Sequence, residues 1–172
     1  MKNTIFARRS VRKFLQKAVP KALLEEIIAA GIAAPSAKNR QPWHFAVFAG
    51  DAKAQMLESM GRGLLREETL EPLLPKSRAG LGDAKNTLRI MREAPVVILV
   101  LNTNSTSPFR AVDSDARITE ICDTLSIGAA VQNMLLRATA LGLGTLWIAN
   151  TCFSYTELCE YLQTEAQLVC AV

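Results

Sequence analysis

The stretch that most constrains the fold is an unbroken apolar run, Val96–Leu101, directly after Pro95. A strand with one face in water alternates apolar and polar residues, whereas a strand covered on both faces is apolar throughout. The run therefore predicts an interior strand with other elements packed on both of its faces. The chain has 172 residues, of which 49% are hydrophobic, and this suffices for one domain with its own core. We predict a single domain over residues 1–172.

The hydrophobic periodicity of the remaining sequence divides the chain into helices and strands around this run. Helices are predicted over Pro20–Ala34, Asp83–Glu93 and Asp113–Leu141. Further strands are predicted over His44–Ala49, Thr145–Ala149 and Gln167–Val172. Helical and strand patterns thus both occur in substantial amounts.

Capping and breaking residues predict three shorter features. Asp51 can cap a short helix that ends at Met60. Ser154 and Glu157 have the spacing of a capping box, which predicts a last helix to Leu162. The segment Gly61–Gly82 is rich in glycine, proline and charge without a clear period, and it is predicted as a variable loop. It is either a lid over a site or a surface insertion.

Composition restricts the class of protein. No apolar run approaches the roughly 20 residues that are needed to span a membrane. The cysteines lie among apolar residues without zinc-site spacing, which predicts reduced core thiols and a cytoplasmic protein without a metal. The net charge of +4 suits an anionic ligand but is too small to indicate nucleic-acid binding. The four cysteines are Cys122, Cys152, Cys159 and Cys170.

The N-terminus is strongly basic, because seven Lys and Arg residues precede the first acidic residue, Glu25. A transit peptide or a nucleic-acid-binding arm would have a similar composition. The third interpretation is a phosphate site, since Arg8–Arg12 holds three guanidinium groups and a hydroxyl, and guanidinium grips phosphate in a forked geometry. If this segment is extended after a short first helix, Arg8, Ser10 and Arg12 point to one face.

A second polar stretch, Ala34–Phe45, connects the first long helix to the first strand. It carries a serine, an asparagine and a glutamine between Pro35 and Pro42, and it continues into Trp43. One interpretation is a proline-stiffened connector with the tryptophan as core filler. The other is a loop that something docks against, since so polar a loop is otherwise costly to order.

Together the two stretches resemble the nitroreductase family of flavoproteins. Members begin with an Arg-x-Ser-x-Arg/Lys segment, matched by Arg8–Arg12, and later carry Pro-Ser-x-x-Asn-x-Gln-Pro-Trp, matched by Pro35–Trp43. The resemblance covers nearly the whole chain. It implies an α+β fold, with three α-β-α layers, a mixed and mainly antiparallel central sheet, and an intertwined homodimer. The family's usual C-terminal tail, which bears basic residues, has no counterpart after Val172, and this bears on FMN affinity and dimer stability.

The resemblance also implies which residues hold FMN. Arg8 and Ser10 would bind the phosphate, with Arg9 contributing backbone, and Arg12 would face the N1/O2 edge of the flavin. Asn86 and Arg89 match a pair that reaches the pyrimidine ring from one face of a helix. The whole set expected at the cofactor is Arg8, Arg9, Ser10, Arg12, Pro35, Ser36, Ala37, Asn39, Asn86, Arg89, Trp147, Ile148, Ala149 and Asn150.

Two of these groups have distinct expected roles. In Leu146–Asn150, Trp147 would pack on one ring face, and the backbone N–H groups near Ala149 and Asn150 would point at N5 and O4. Some members have a glutamate at the position of Ala149, so a role that needs a carboxylate there is not expected. The residues Pro35, Ser36, Ala37 and Asn39 would reach the flavin of the neighbouring subunit.

The implied function is an FMN-dependent oxidoreductase. Hydride from NADH or NADPH would pass through flavin N5 to a nitroaromatic, a quinone or a related small-molecule acceptor in a ping-pong cycle. This agrees with a sequence that offers no nucleophile–base pair, because the cofactor carries the chemistry and no catalytic side chain is expected. The alternative is a flavin-binding or ligand-sensing module of the same fold without significant turnover.

Overall fold

The structure is a computed structural model that describes residues 4–69 and 72–172. The described part contains α-helices at Thr4–Ala7 (α1), Lys21–Ile32 (α2), Gly50–Thr69 (α3), Leu81–Glu93 (α4), Ser114–Ala140 (α5) and Tyr155–Leu162 (α6). Its strands are Trp43–Ala49 (β1), Val96–Asn102 (β2) and Gln167–Ala171 (β3). Short 3₁₀ turns lie at Ala37–Asn39, Pro75–Gly80 and Asn150–Ser154.

The apolar run forms the central strand of the sheet. β2 lies between β1 and β3 and pairs antiparallel with both. On one face of the sheet, Val97, Leu99 and Leu101 pack with α3, α4 and α6. On the other face, Ile98 and Val100 pack with α2 and α5. The prediction of a strand covered on both faces is confirmed, and the layers agree with an α+β, three-layer arrangement.

Parallel pairing is scarcer than the predicted mixed sheet suggests. In residues 4–69 and 72–172 it is limited to one bridge between Ser10 and Thr145. The predicted strand Thr145–Ala149 is wrong, because this extended segment makes only that bridge and a second one from Ile148 to Ala171. One bridge is to the N-terminal arm and the other is to β3, so the segment connects these two elements without forming a continuous ladder with either.

The predicted loop Gly61–Gly82 is half helical. α3 runs through Met60 to Thr69, because Met56, Met60 and Leu64 continue its apolar stripe into the core. Gly63 is a packing residue, since a Cβ there would lie 2.6 Å from the Ser154 Cα atom. Asp51 lies in the first turn of this helix, which begins at Gly50.

The last helix begins where the sequence predicts, but the capping box is wrong. The Ser154 hydroxyl donates to the carbonyl oxygen of Met60 at 2.7 Å, and Glu157 accepts from Arg66. Both side chains therefore tie α6 to α3, since they are drawn away from the backbone of their own helix.

Three cysteines, Cys152, Cys159 and Cys170, lie in or against the two apolar cores as predicted, whereas Cys122 belongs to neither. All four cysteines are free, Cys170 is buried and the other three are half-buried. No group of candidate metal ligands occurs in the described residues. Likewise, none of the described helices combines the length and apolar character that crossing a bilayer requires.

Candidate functional site

The N-terminal arm lies against the segment between α5 and α6. After α1 the chain becomes extended, and the backbone N–H of Val11 donates to the carbonyl oxygen of Thr145 at 2.9 Å. Gly144 permits this approach, because a Cβ there would lie 2.7 Å from a Val11 methyl carbon. The backbone thus brings Arg8–Arg12 beside Leu146–Asn150, two of the groups that the sequence predicts at one site.

The arginines of this arm have no carboxylate partner within the described chain. Arg9 donates to the carbonyl oxygens of Phe6 and Arg8, at 2.6 and 2.8 Å, and Arg12 donates to that of Ser10 at 3.4 Å. Ser10, Arg9 and Arg12 are exposed, and Arg8 is half-buried. Most other arginines form ion pairs: Arg40, Arg66, Arg89, Arg110, Arg117 and Arg137. The arm therefore concentrates positive charge that the protein does not neutralise, as an anion site requires.

The segment Leu146–Asn150 presents a flat side chain and a free backbone donor. Ile148 is buried and exchanges two 2.8 Å backbone hydrogen bonds with Ala171. Trp147, between Leu146 and Ile148, is 44% exposed and lies beside Gly128 of α5. The N–H of Ala149 donates to no acceptor in the described residues. An exposed indole and an unused N–H group can contact a planar heterocycle from its face and its edge.

Cys170 of β3 lies behind this segment. Burial raises the pKa of its thiol to about 12, and a hydrogen bond with Trp147 opposes that shift. The thiol is therefore protonated at neutral pH, and it is a packing residue with little nucleophilic character.

Helix α4 reaches the same region through a residue that the sequence did not indicate. Asn150 donates from Nδ2 to the Thr87 hydroxyl at 3.0 Å, while its Oδ1 atom and the Thr145 hydroxyl are buried without a hydrogen-bond partner. Asn86 and Arg89 share an exposed face of α4, and Arg89 donates to the Asn86 carbonyl at 3.0 Å. Arg89 also pairs with Glu93, so its charge is partly neutralised.

The loop Pro35–Gln41 is anchored to α5. The backbone N–H of Ala37 donates to the Ser126 hydroxyl at 3.1 Å. Arg40 donates from Nε to Oδ1 of Asp123 at 2.8 Å, and its Nη2 lies 2.7 Å from the same oxygen, as an ion-pair contact without hydrogen-bond alignment. Within the described residues, the loop makes no hydrogen bond to Arg8–Arg12 or to Leu146–Asn150. One chain thus assembles only part of the predicted cofactor set.

The loop backbone is strained. Lys38, Asn39 and Gln41 have φ angles of 53°, 54° and 46°, in the left-handed region that favours glycine. Such a conformation costs roughly 1 kcal/mol for a residue with a Cβ, somewhat less for asparagine. The surrounding contacts therefore hold the loop in a shape that it would not keep by itself.

The polar side chains within the loop contact one another. The Ser36 hydroxyl accepts from the backbone N–H of Gln41 at 2.9 Å, and the Gln41 amide donates to the Asn39 carbonyl at 3.1 Å. Asn39 is exposed, so its own amide hydrogens face solvent. The serine, the asparagine and the glutamine thus order the loop, and the amide group of Asn39 remains available as a hydrogen-bond donor.

Comparison with known proteins assigns the chain to a family. The model of the Nitroreductase family matches residues 5–172. The chain belongs to the nitroreductase family. One relative is an Archaeoglobus fulgidus protein, provisionally named NADH dehydrogenase/NAD(P)H nitroreductase, which is 28% identical over 144 residues. The match covers 84% of this chain and 64% of the relative, so the chain spans less than two thirds of that relative's length.

Solved structures of nitroreductases have the same fold. A provisionally named nitroreductase from Desulfovibrio desulfuricans, crystallised with FMN, is 30% identical with a TM-score of 0.70, and the match covers 98% of this chain and 80% of that chain. The FMN-dependent nitroreductase NfnB of Mycobacterium smegmatis, solved with NADPH, is 20% identical with a TM-score of 0.74, and the match covers 99% and 84%. At that identity the second likeness shows the fold alone.

Three residues of the chain that support the loop were not identified from the sequence. Arg40 lies between the motif residues, and Asp123 and Ser126 lie on the long helix. The available signal was a polar pair, three residues apart, within a largely apolar helix, which places both side chains on one face. The partner of that pair could not be identified, because Arg40 and Asp123 are 83 residues apart in the chain.

Proposed function

We propose that the protein is an FMN-dependent oxidoreductase that acts as a single nitroreductase-like domain within a homodimer. The observation that carries this proposal is the unneutralised arginine arm, held by backbone pairing next to an exposed indole and an unused N–H group. When bound, FMN supplies the redox chemistry, taking a hydride at N5 from NADH or NADPH and passing it to a nitroaromatic, quinone or related acceptor by a ping-pong mechanism.

The arm would hold the phosphate end of the cofactor. Arg8 and the Ser10 hydroxyl would bind phosphate oxygens, and Arg9, whose side chain donates to nearby carbonyls, would contribute backbone. Arg12 would place its guanidinium at the N1/O2 edge of the ring, where positive charge stabilises the reduced anion. The donor set fits the group, since an exposed cluster of guanidinium groups without carboxylates matches a phosphate dianion.

The segment beside the arm would hold the ring. Trp147 would cover one face, with Ile148 buried behind it, and the N–H groups of Ala149 and Asn150 would point at the N5/O4 edge. Asn86 would offer its amide hydrogens to the pyrimidine edge, because its carbonyl oxygen already accepts from Arg89. Arg89 would divide its hydrogen bonds between Glu93 and the cofactor.

The second copy would complete each site. Three large apolar side chains on α5 are exposed, with Ile118 at 61%, Ile121 at 48% and Leu125 at 70%. Their spacing places them on one side of the helix, and such a stripe is typical of a surface that another chain covers. Pro35, Ser36, Ala37 and Asn39 would then contact the partner's flavin. The free thiols fit a reducing compartment, and we place the protein in the cytoplasm.

An absorbance spectrum followed by anaerobic titration tests this function. We expect the purified protein to take up FMN, to be bleached by NADH or NADPH, and to regain its colour when a nitro compound or a quinone is added. Folded protein that takes up no FMN would refute the proposal. Bound FMN that neither nicotinamide reduces would point instead to a flavin-holding or ligand-sensing module.

A further inference from the structure

The carboxylate of Asp123 is buried in the middle of α5, where its side chain is 0% exposed. A buried charge is stable only with a charged or hydrogen-bonding partner at each oxygen. Oδ1 accepts from Arg40 at 2.8 Å, and Oδ2 accepts from Asn104 at 3.3 Å. Both oxygens are thus committed to groups outside the helix, so Asp123 joins three separate parts of the chain.

Arg40, the partner of Asp123, lies between two left-handed residues of the strained loop. Arg40 has an ordinary φ angle of −71°, but the residues on either side, Asn39 and Gln41, have φ angles of 54° and 46°. Fixing the Arg40 side chain therefore fixes the chain between two left-handed residues. Relaxation of either residue to a negative φ angle would swing the guanidinium away from the carboxylate.

A second contact holds the start of the loop. Ser126, three residues after Asp123 on the same helix, accepts from the backbone N–H of Ala37 at 3.1 Å and donates to the carbonyl oxygen of Cys122 at 2.8 Å. One face of α5 thus holds the loop at two points, Ala37 and Arg40. These points bracket the left-handed residues Lys38 and Asn39.

The contacts of Arg40 with Asp123 and of Ala37 with Ser126, called the brace below, continue to the central sheet. The backbone N–H of Asn104 donates to the side-chain oxygen Oδ1 of Asn102 at 3.1 Å, and Asn102 is the fully buried last residue of β2. Asn104 is therefore fixed when it donates to Asp123. The contacts from β2 to the loop thus form a continuous series of hydrogen bonds through Asn104, which is exposed, and Asp123.

We propose that Asp123 is a positioning residue of the cofactor site, which holds the Ser36–Gln41 loop, through Arg40, in the left-handed shape that presents Asn39 to FMN. This inference rests on the proposed function for its ligand. Asp123 itself touches no cofactor. Its contribution is to keep the loop ordered before FMN and the second copy bind, so that the cost of ordering is not taken from the binding energy.

The test compares Asp123→Asn with Glu67→Gln, a matched control. Glu67 is also a buried carboxylate, 4% exposed, that pairs with an arginine and accepts from the backbone N–H of Leu73 at 2.7 Å. We expect Asp123→Asn to raise the Kd for FMN about tenfold, measured by flavin fluorescence, and Glu67→Gln to change it less than about twofold. Tryptic cleavage after Lys38, in protein without FMN, should accelerate in Asp123→Asn alone.

A second substitution distinguishes positioning from general stability. Lys38→Gly removes the Cβ at a φ angle of 53° and lowers the strain that the brace opposes. Added to Asp123→Asn, it should restore most of the lost FMN affinity. If Asp123→Asn does not fold, Ser126→Ala and Asn104→Ala weaken the same brace, and each should raise the Kd about threefold.

The outcomes separate this inference from the proposed function. Wild-type protein that binds no FMN would remove the function, while the cleavage rate after Lys38 would still decide whether Asp123 orders the loop. An unchanged Kd and cleavage rate in Asp123→Asn, or equal changes in Glu67→Gln, would overturn the positioning role. Failure of Lys38→Gly to restore affinity would also overturn it.

Discussion

Two arginine-bearing segments, the Arg8–Arg12 arm and the Ser36–Gln41 loop, are built in opposite ways. The arm leaves three guanidinium groups without carboxylates and is tied down by backbone pairing to Thr145. The loop contributes its one arginine, Arg40, to a fully buried carboxylate and is held in a strained shape. The charge of the arm remains available to an anion, whereas the charge of Arg40 in the loop is paired inside the protein with Asp123.

Burial explains the difference. An exposed guanidinium remains solvated, so leaving it unpaired costs little free energy, and the field around it is available to an approaching anion. A carboxylate inside the protein must be paired, so the Arg40–Asp123 contact is required by the fold. Arginine is therefore unpaired with any described carboxylate and accessible to solvent in the arm, and part of the internal structure in the loop.

The largest expected effect is on the free energy of unfolding, and it comes from the arginine of the loop. Arg40→Gln leaves Asp123 buried without its cation and should lower the free energy of unfolding by about 3 kcal/mol. Urea denaturation measures this. Arg137→Gln, which removes an ion pair with Glu26 at 45% and 43% exposure, is the control and should cost less than about 0.5 kcal/mol. Equal losses in the two variants would show that the Arg40 pair is no more structural than a surface pair.

The second effect tests the arm. Arg8→Gln combined with Arg12→Gln would remove the two charge-assisted contacts that we propose to FMN, and should raise its Kd about 100-fold. The free energy of unfolding should change by less than about 0.5 kcal/mol, because neither side chain forms an ion pair within the described chain and Arg12 makes only a long, exposed hydrogen bond to the Ser10 carbonyl oxygen. Arg110→Gln removes a surface charge elsewhere, and its Kd for FMN should match the wild type. A double variant that binds FMN normally would contradict a phosphate site in the arm.

The smallest expected effect is a loss of stability at alkaline pH, which should arise in the core and not in the arm or the loop. Burial raises the pKa of Cys170 to about 12, and burial also raises the pKa of Tyr155 to about 12, from ordinary values of 9.0 and 10.0. Above about pH 9 the unfolded chain therefore loses these protons before the folded one, so the free energy of unfolding falls as pH rises toward 12. Below pH 9 this contribution is fully present.

Urea denaturation at a series of alkaline pH values measures this slope. Cys170→Ala removes one of the two groups and should make the slope shallower. The guanidinium groups of the arm stay charged throughout this range, so arm and loop should not set the alkaline limit. A stability that stays flat between about pH 9 and pH 11 would contradict the assignment of both buried groups.

The sequence predicts the elements whose signals are local. α2, α4 and α5 and all three strands of the sheet follow from periodicity and lie within two residues of their predicted bounds. The second half of α3 was missed because Gly61 and Gly63 look like breakers, and the need for a small residue against Ser154 is visible only in the packing. The segment Thr145–Ala149 was wrongly predicted as a strand, because an extended apolar segment does not always pair with a neighbouring strand along its length.

The candidate site divides in the same way. The residues of the arm, the loop and Leu146–Asn150 are contiguous in the chain, so short motifs indicate them. Thr87 and Asp123 hold those segments in place from distant helices. No local pattern marks Thr87, and the spacing of Asp123 and Ser126 does not identify the partner of that pair. Whether the segments of two chains meet over one flavin stays a prediction.

The long helix α5 bears on how this chain can change in length. Asp123 and Ser126 hold the loop, and Ile118, Ile121 and Leu125 lie exposed on the same stretch. Each residue turns a helix by about 100°, so one residue inserted between Ile121 and Asp123 would rotate the loop-holding pair away from its register with Ile118 and Ile121. No substitution on one face of the helix would restore both the contacts to the loop and the position of the exposed apolar residues. The number of residues in this part of α5 is therefore fixed by the architecture.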